Sequence, residues 1–415
     1  MTVKIVLKCP KAVYELNTRR IIVSTIFLFS LFACARAPFV VTKPEEAMEP
    51  VSWRKATEPA DDMDFKGMAT AARQSLEYYK KLPQNTVFPL GPDKVTALDQ
   101  VVTLQNFLLI VENDSLSFDQ KIERIKKDFV LYQSVGTNGG GTILLTGYYE
   151  PTLSCRVAPD GTFRFPLYRK PDDMIEIDLS QFGAGYPKDK LFGRLEGKKV
   201  VPYYSREEID GKRLLANKNL EILWCSDLVD IYVLQVQGSG KVDLGDGNIL
   251  GVLYDGQNGR PYTSIGKYLI DAGVMTRDTM SMQALREYLR SHPEKLNEVL
   301  YRNQSYVFFR LDTGPSLGNI GVPLTPGRSI ATDSRLFPKG ALGLITSQKP
   351  VIENNEIKKW VPFTRFVMNQ DTGGAIKGPG RVDLFFGQGA DAELTAGNLQ
   401  HEGKLYFLLR RKQEE

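Results

Sequence analysis

Asp371 and Asp383 bracket the run Asp371-Thr-Gly-Gly-Ala-Ile-Lys-Gly-Pro-Gly-Arg-Val-Asp383, which continues Leu-Phe-Phe-Gly387. A carboxyl group kept neutral by burial or by a neighbouring like charge can protonate a leaving oxygen, and its carboxylate can then take a proton back. Gly373, Gly374, Gly378, Gly380 and Gly387 let this backbone turn tightly and let a ligand come close. Val382-Asp383-Leu384-Phe385-Phe386 alternates as a short strand does, so Asp383 is expected on a rigid element with the glycine loop above it. The same residues, taken alone, equally describe a glycine-rich turn with a solvated aspartate at each end. Asp333, in Ala-Thr-Asp-Ser-Arg335, is a third acid of the same tail. Three aspartates gathered by one β domain could hold one of them neutral, although each alone is an ordinary turn residue.

A second group of residues suits sugars. Tyr232-Val-Leu-Gln-Val-Gln-Gly-Ser-Gly240, read as a strand, puts Val233, Gln235 and Gln237 on one face beside a turn holding Ser239. Paired amides offer donor and acceptor together to hydroxyl and acetamido groups. The glycines here have neither phosphate-loop spacing nor the spacing of a hydrolase nucleophile elbow. Tyr148 and Tyr149, in Leu145-Thr-Gly-Tyr-Tyr-Glu-Pro151, could stack on a sugar ring, although adjacent tyrosines more often pack in a core. Loops rich in Tyr, Gln, Asn and Gly recur at 202–206 and 256–262. With little clustered charge, this profile fits a carbohydrate groove better than a phosphate or metal site. His292 and His401 are the two histidines, and no Cys-x-x-Cys pair occurs, which argues against a structural zinc site and against Ser-His or Cys-His catalysis. No metal and no cofactor is expected.

The chain of 415 residues is 42% hydrophobic and 25% charged, ordinary for a globular protein of two domains. Its net charge of +4 comes from the N-terminus: beyond residue 33, 48 basic residues face 48 acidic ones. Nucleic acid is therefore excluded as an electrostatic partner. Arg19-Arg20 precedes the apolar run Ile21 to Ala33, too short for an ordinary membrane span but suited to a signal-peptide core. The run ends Leu31-Phe32-Ala33-Cys34, which resembles a bacterial lipobox with Cys34 as the lipidated residue. The alternative is a plain secretory signal or an uncleaved anchor. Cys155 and Cys225 either bridge in an oxidising compartment or remain two buried thiols.

Residues 35–62 read as a tether. Helices are expected at Phe65–Leu82, at Lys94–Val111 with Leu98, Val101, Val102 and Leu108 on one side, and at Phe118–Tyr132, where Ser117 and Gln120 form a capping box. From Asn138-Gly-Gly-Gly141 the chain turns to short β runs, including 142–149, 163–168, 200–204, 231–237 and 249–254. Helices follow at 264–272, 282–290 and 294–301, and the tail to Leu409 is β-rich.

At this point the chain resembles the membrane-bound lytic murein transglycosylase A family, from about Thr146 to Leu409. The resemblance rests on many ordered motifs, among them Thr-Gly-Tyr-Tyr-Glu-Pro (146–151), Val-Pro-Tyr-Tyr-Ser-Arg (201–206), Leu-Gln-Val-Gln-Gly-Ser-Gly (234–240), Gly-Gln-Asn-Gly-Arg-Pro-Tyr (256–262), Gly-Val-Pro-Leu-Thr-Pro-Gly-Arg-Ser (321–329) and the run from Asp371. It implies a mainly β protein with N-terminal helices: a double-psi β-barrel domain (63–150 plus 313–415) with an inserted second β-barrel domain (151–312), after a signal peptide (1–33) and a lipid-anchored tether (34–62). It implies cleavage of the β-1,4 bond between MurNAc and GlcNAc without water, leaving 1,6-anhydro-MurNAc ends. Asp383 falls on the family's catalytic acid and Asp371 is an auxiliary. Tyr148, Tyr149, Gln235, Gln237, Ser239, Gly373, Gly374, Lys377 and Asp333 are candidates to bind the glycan. The expected partners are peptidoglycan strands, a membrane through the lipid anchor and other cell-wall enzymes, and the expected place is the periplasmic face of a Gram-negative outer membrane. A glycan hydrolase and a non-catalytic wall-binding lipoprotein are the rival functions.

Overall fold

Met68, Ala71, Ala72, Ser75, Leu76 and Tyr79 recur at three- and four-residue steps and form the buried stripe of α1 (Met68–Lys81). A computed structural model describes residues 41–412 apart from 42, 184, 187–189, 246 and 278. The expected signal segment and the lipidation residue Cys34 lie outside the described residues. α2 (Ala97–Val111) starts later than expected, because Asp93–Thr96 forms a hairpin strand with Val87–Leu90 and Thr96 then caps the helix in a box with Asp99. Leu98 is consequently exposed, and Val101, Leu104, Phe107, Leu108 and Val111 face inward. α3 (Phe118–Asp128) has the expected Ser117–Gln120 box. It stops short of Tyr132 because Phe129–Ser134, an aromatic and aliphatic run, pairs as a strand instead.

The three helices cover a closed ring of six strands. These are β1 (Ile143–Glu150), β2 (Ser329–Ala331), β3 (Leu342–Glu353), β4 (Glu356–Asp371), β5 (Arg381–Gln388) and β6 (Gln400–Arg410). Hydrogen bonding runs β6-β3-β4-β2-β5-β1, and β1 pairs back with β6. The β5–β1 and β2–β4 pairings are parallel. Each strand sends an apolar side chain into one core: Leu145, Ile330, Ile345, Val367, Leu384 and Phe407. Closure leaves these strands no open edge. Alternation turns Asp383 to the face opposite Val382 and Leu384.

Arg328, just before β2, is fully buried. Its guanidinium donates to both carboxylate oxygens of Asp61 (2.6 and 2.8 Å), to the Phe366 carbonyl and to the Lys66 carbonyl. Asp61 also accepts from the backbone N–H groups of Met63, Phe65 and Phe366. This cluster fastens the segment before α1 to the short strand that carries the site.

Between β1 and β2 the chain builds a second β structure. Its six-stranded sheet runs Val307–Asp312, Ile249–Gln257, Ser239–Asp243, Thr152–Arg156, Glu221–Cys225 and Phe165–Tyr168. The outer strands meet through Tyr168, Tyr203, Tyr306 and Phe308. A three-stranded sheet (Ile175–Asp178, Lys190–Glu196, Lys199–Pro202) and the helices α5 (Ile265–Asp271), α6 (Met282–Ser291) and α7 (Leu296–Leu300) complete this part. Cys155 and Cys225 lie opposite each other on neighbouring strands and are disulfide-bonded. Replacing both by Ala is expected to lower unfolding free energy by about 2–5 kcal/mol, read from the urea midpoint; an unchanged midpoint would count against a stabilising bridge.

The strand expected at 231–237 is a helix, α4 (Leu228–Gln237). Asp227 caps it by accepting from Val229 N–H, and Gly238, at φ +85°, ends it. Val229, Ile231, Tyr232, Val233, Leu234 and Gln235 are all buried, so the helix shows no polar face and its sequence mimics a strand. Gln235 and Gln237 therefore do not share one face as they would on a strand. A second helix not anticipated, α8 (Ala390–Asn398), interrupts the β-rich tail and packs on β1 and β5.

Candidate active site

Sheet register brings the two tail aspartates together. Ala331 of β2 lies opposite Asp371 of β4 on one side and opposite Asp383 of β5 on the other. Two ladder spacings therefore separate their strands, about 10 Å. On the far side of β5, Thr146 of β1 is in register with Asp383 and its hydroxyl donates to Asp383 Oδ1. Arg381 Nη2 donates to Thr146 Oγ1 (3.2 Å) and lies 3.6 Å from Asp383 Oδ1. The Asp383 side chain keeps 19% of its surface open. Burial pushes its carboxyl above the usual range, against the opposing pull of the Thr146 hydroxyl and the Arg381 charge.

Asp371 is bound on every side. Its Oδ1 accepts from the N–H groups of Asn319 (3.0 Å) and Thr372 (2.9 Å), and its Oδ2 from the Tyr148 hydroxyl (2.9 Å). Burial pushes its carboxyl up to about 6 against these three hydrogen bonds, and the Asp383 charge adds to the rise. Tyr148 is itself raised by burial and by Asp371, so its hydroxyl stays a donor. Asp333 has a different task. It is 1% exposed, and its carboxylate takes the fork of Arg335 (3.0 and 2.7 Å) and the Gly378 N–H (2.8 Å). Burial alone would raise it, but Arg335 and the backbone donors hold it below the usual range. As placed, it anchors the glycine loop and offers no free oxygen to a sugar.

The loop glycines divide. A Cβ on Gly374 or Gly378 would meet nothing within 4 Å, and Gly378 holds φ +82°. Gly380 instead lets the loop pass against the Thr137 backbone, 2.6 Å from where a Cβ would sit, so it serves packing. Gly373 is half-buried above Ile376, and Lys377 is exposed. Tyr148 is half-buried against Phe385, at 5.1 Å between ring centroids. Tyr149 is unavailable as a stacking platform: its ring is 2% exposed under Ala392 and Ala396 of α8. Gln237 Oε1 accepts from Tyr149 N–H (3.1 Å), tying α4 to β1. Gln235 is buried with neither amide atom hydrogen-bonded, and Ser239 is half-buried at the start of its strand.

Sequence reading missed Thr146, Arg381 and Asn319. Thr146 stands in a motif that drew attention only for its tyrosines. Its partnership with Asp383 exists only through the parallel pairing of β1 with β5. Tyr262, in the loop 256–262 of the insert, is raised by burial, and the Asp383 charge adds to the rise. Cavities of about 790 and 330 Å³ lie elsewhere, and neither is lined by Asp371 or Asp383. The partly open Asp383 side chain suits a groove that takes a polymer.

A buried acid with a raised carboxyl on a rigid strand, an open glycine loop and a β insert fit an enzyme acting on an extended polymer. The chain belongs to the membrane-bound lytic murein transglycosylase A family. The protein of that name from Escherichia coli K12 is 34% identical over 280 residues, which cover 67% of this chain and 68% of the relative. The Vibrio cholerae protein is 32% identical over 282 residues, 66% and 68% of the two chains. A family model described as the MltA specific insert domain matches residues 144–310, and one described as the 3D domain matches 328–409. Among solved structures, the membrane-bound lytic murein transglycosylase from Agrobacterium tumefaciens superposes with a TM-score of 0.71 at 28% identity, covering 88% of this chain and 98% of that one. Escherichia coli MltA with bound chitohexaose superposes with a TM-score of 0.65 at 26% identity, covering 91% and 96%. The relatives are named membrane-bound; among the described residues no helix is long and apolar enough to cross a membrane.

Proposed function

We propose that the chain is a lytic transglycosylase of peptidoglycan in which Asp383 acts first as acid and then as base. Its carboxyl protonates the oxygen between MurNAc and GlcNAc. The resulting carboxylate takes the proton of the C6 hydroxyl of the same MurNAc, whose oxygen closes on C1 to give the 1,6-anhydro end. One residue serves both steps because acid becomes base on proton transfer. The internal hydroxyl also spares the cost of bringing in a second reactant. The observation that carries this reading is the unequal state of the two carboxyls. Burial raises both carboxyls, but Asp371 has both oxygens engaged by three donors, whereas Asp383 keeps an open side. A glycosidase working with water needs two free carboxyls.

Asp371 positions Tyr148, and its electrostatic coupling to Asp383 lets each carboxyl raise the other. Tyr148, Gln237, Ser239, Gly373, Gly374 and Lys377 line the path of the glycan, and Asp333 shapes the loop from beneath. The bound chitohexaose of the Escherichia coli relative supports a β-1,4 glycan of N-acetylated sugars as the occupant. The six-strand ring is of the double-psi kind, in keeping with its two parallel pairings, and residues 151–312 form a second barrel inserted into it. Cys34 carries the lipid anchor that holds the protein on the periplasmic face of the outer membrane.

Mass spectrometry of digested sacculi tests the reaction. Products one water lighter than reducing muropeptides are expected; reducing ends would make the protein a hydrolase, and binding without cutting would make it a wall binder. A second test concerns Asp371. The acid must be protonated, so activity falls as pH rises through the Asp383 pKa. Removing a neighbouring negative charge lowers that pKa. Asp371→Asn is therefore expected to move the alkaline limb of the rate profile to lower pH and to cost about tenfold or more in kcat. Full activity with an unmoved limb would refute the positioning role.

A further inference from the structure

The insert holds a cavity of about 330 Å³ away from the Asp383 groove. Phe165, Pro166, Trp224 and Tyr301 give it apolar walls, and Asp210, Arg213, Glu221 and Arg164 bring charge to it. Size, aromatic lining and a few polar groups are the usual marks of a small-ligand site.

The charges are poorly matched within the protein. Arg164, Arg213 and Glu221 form no ion pair among the described residues, and Arg213 is held at φ +54°. Asp210 has a side chain 9% exposed, and its Oδ2 has no hydrogen-bond partner. Its ion-pair partner, Arg206 Nη1, is 3.6 Å away, and neither atom has a hydrogen bond. Arg206 is committed elsewhere: Nε donates to the Asn303 carbonyl (3.0 Å) and Nη2 to the Ser305 carbonyl (2.7 Å). Burial pushes the Asp210 carboxyl up to about 6 despite Arg206 and a Tyr306 hydrogen bond. A buried carboxylate oxygen without a hydrogen bond is costly, and an ion pair of this length offsets that cost only in part, leaving room for a second cation. Gly211 leaves space for the Tyr301 hydroxyl, which would lie 2.9 Å from a Cβ there, so the wall is fitted around the acid.

We propose that this cavity binds a zwitterionic amino-acid end, its ammonium toward Asp210 and Glu221, its carboxylate toward Arg213 and Arg164, and its aliphatic stem against Trp224 and Tyr301. The peptide stems of murein carry such ends, so the site would grip the stem of the same polymer whose glycan lies in the groove. In that form the proposal rests on murein being the substrate. Arg206 links the two regions: its guanidinium stacks on the Tyr232 ring (4.8 Å), and Tyr232 neighbours Tyr262, the residue that senses Asp383.

Calorimetry on the whole folded protein tests it. The probe is N-acetyl-L-alanyl-γ-D-glutamyl-meso-diaminopimelate, which keeps one free ammonium beside a carboxylate. The second probe is the same peptide with that amine acetylated. Saturable binding of the first is expected, with about tenfold or greater weakening on acetylation, the size of one lost charge-assisted hydrogen bond. Arg213→Gln and Glu221→Gln, at the rim where folding is spared, should each weaken the first peptide by about as much; Asp210→Asn probes the buried acid. No saturable binding, equal affinity for both peptides, or undiminished binding by both rim variants would overturn the proposal. Digestion of peptide-free glycan strands by the unaltered protein separates the two claims. Peptide binding without anhydro products leaves the cavity proposal standing and sinks the transglycosylase reading, and the reverse result does the opposite.

Discussion

Asp383→Asn is expected to reduce glycan cleavage by about a thousandfold or more, since in the proposed mechanism it removes both the acid and the base from one reaction. Asn keeps the size of the side chain and can still accept from the Thr146 hydroxyl, so the unfolding midpoint should not fall. At neutral pH the change should even be mildly stabilising, because burial disfavours the charged carboxylate it replaces. Sedimentation with sacculi should show wild-type binding. The combination of retained fold, retained binding and lost cutting is the signature of a chemical role. Cleavage within tenfold of wild type would move the acid to another residue.

The second large effect is on stability. Asp61→Ala removes the partner of Arg328 and leaves that guanidinium charged and fully buried, together with the N–H groups of Met63, Phe65 and Phe366. Breaking one side of a buried pair costs about 3–5 kcal/mol. Since Arg328 adjoins β2, and β2 lies between Asp371 and Asp383, activity should be lost at temperatures below the global midpoint. Denaturant melts and activity against temperature would show both effects. A loss under about 1 kcal/mol would mean that the cluster does not hold the strand.

The strand that carries Asp383 could be read from the sequence because its pattern is local. Alternation from Val382 to Phe386 gives the strand, and the glycines before it give the opening. Its partners could not be read that way. Thr146 meets Asp383 through a parallel ladder closed between distant segments, and no short-range pattern encodes that register. Tyr148 and Tyr149 must face opposite ways on β1, but α8, which buries Tyr149, comes from the far end of the chain. α4 reads as a strand because a helix buried all round loses the polar stripe that identifies helices. The register of β2 is equally silent in the sequence, although it sets Asp371 beside Asp383. Asp333 carried its own clue two residues away, in Arg335, whose fork occupies it. The disulfide was undecided for a similar reason: only strand pairing puts Cys155 opposite Cys225.

A crystal structure of the Asp383→Asn protein with a bound N-acetylated glycan oligomer tests the role of Asp383. Residue 383 should lie within about 3 Å of the glycosidic oxygen, with the C6 hydroxyl of the cleaved sugar turned toward the same residue and Asp371 still held by Tyr148, Asn319 and Thr372. A second carboxylate free on the opposite face of the ring, at about 5 to 9 Å with or without a water between, would contradict it and make the protein a two-carboxylate hydrolase.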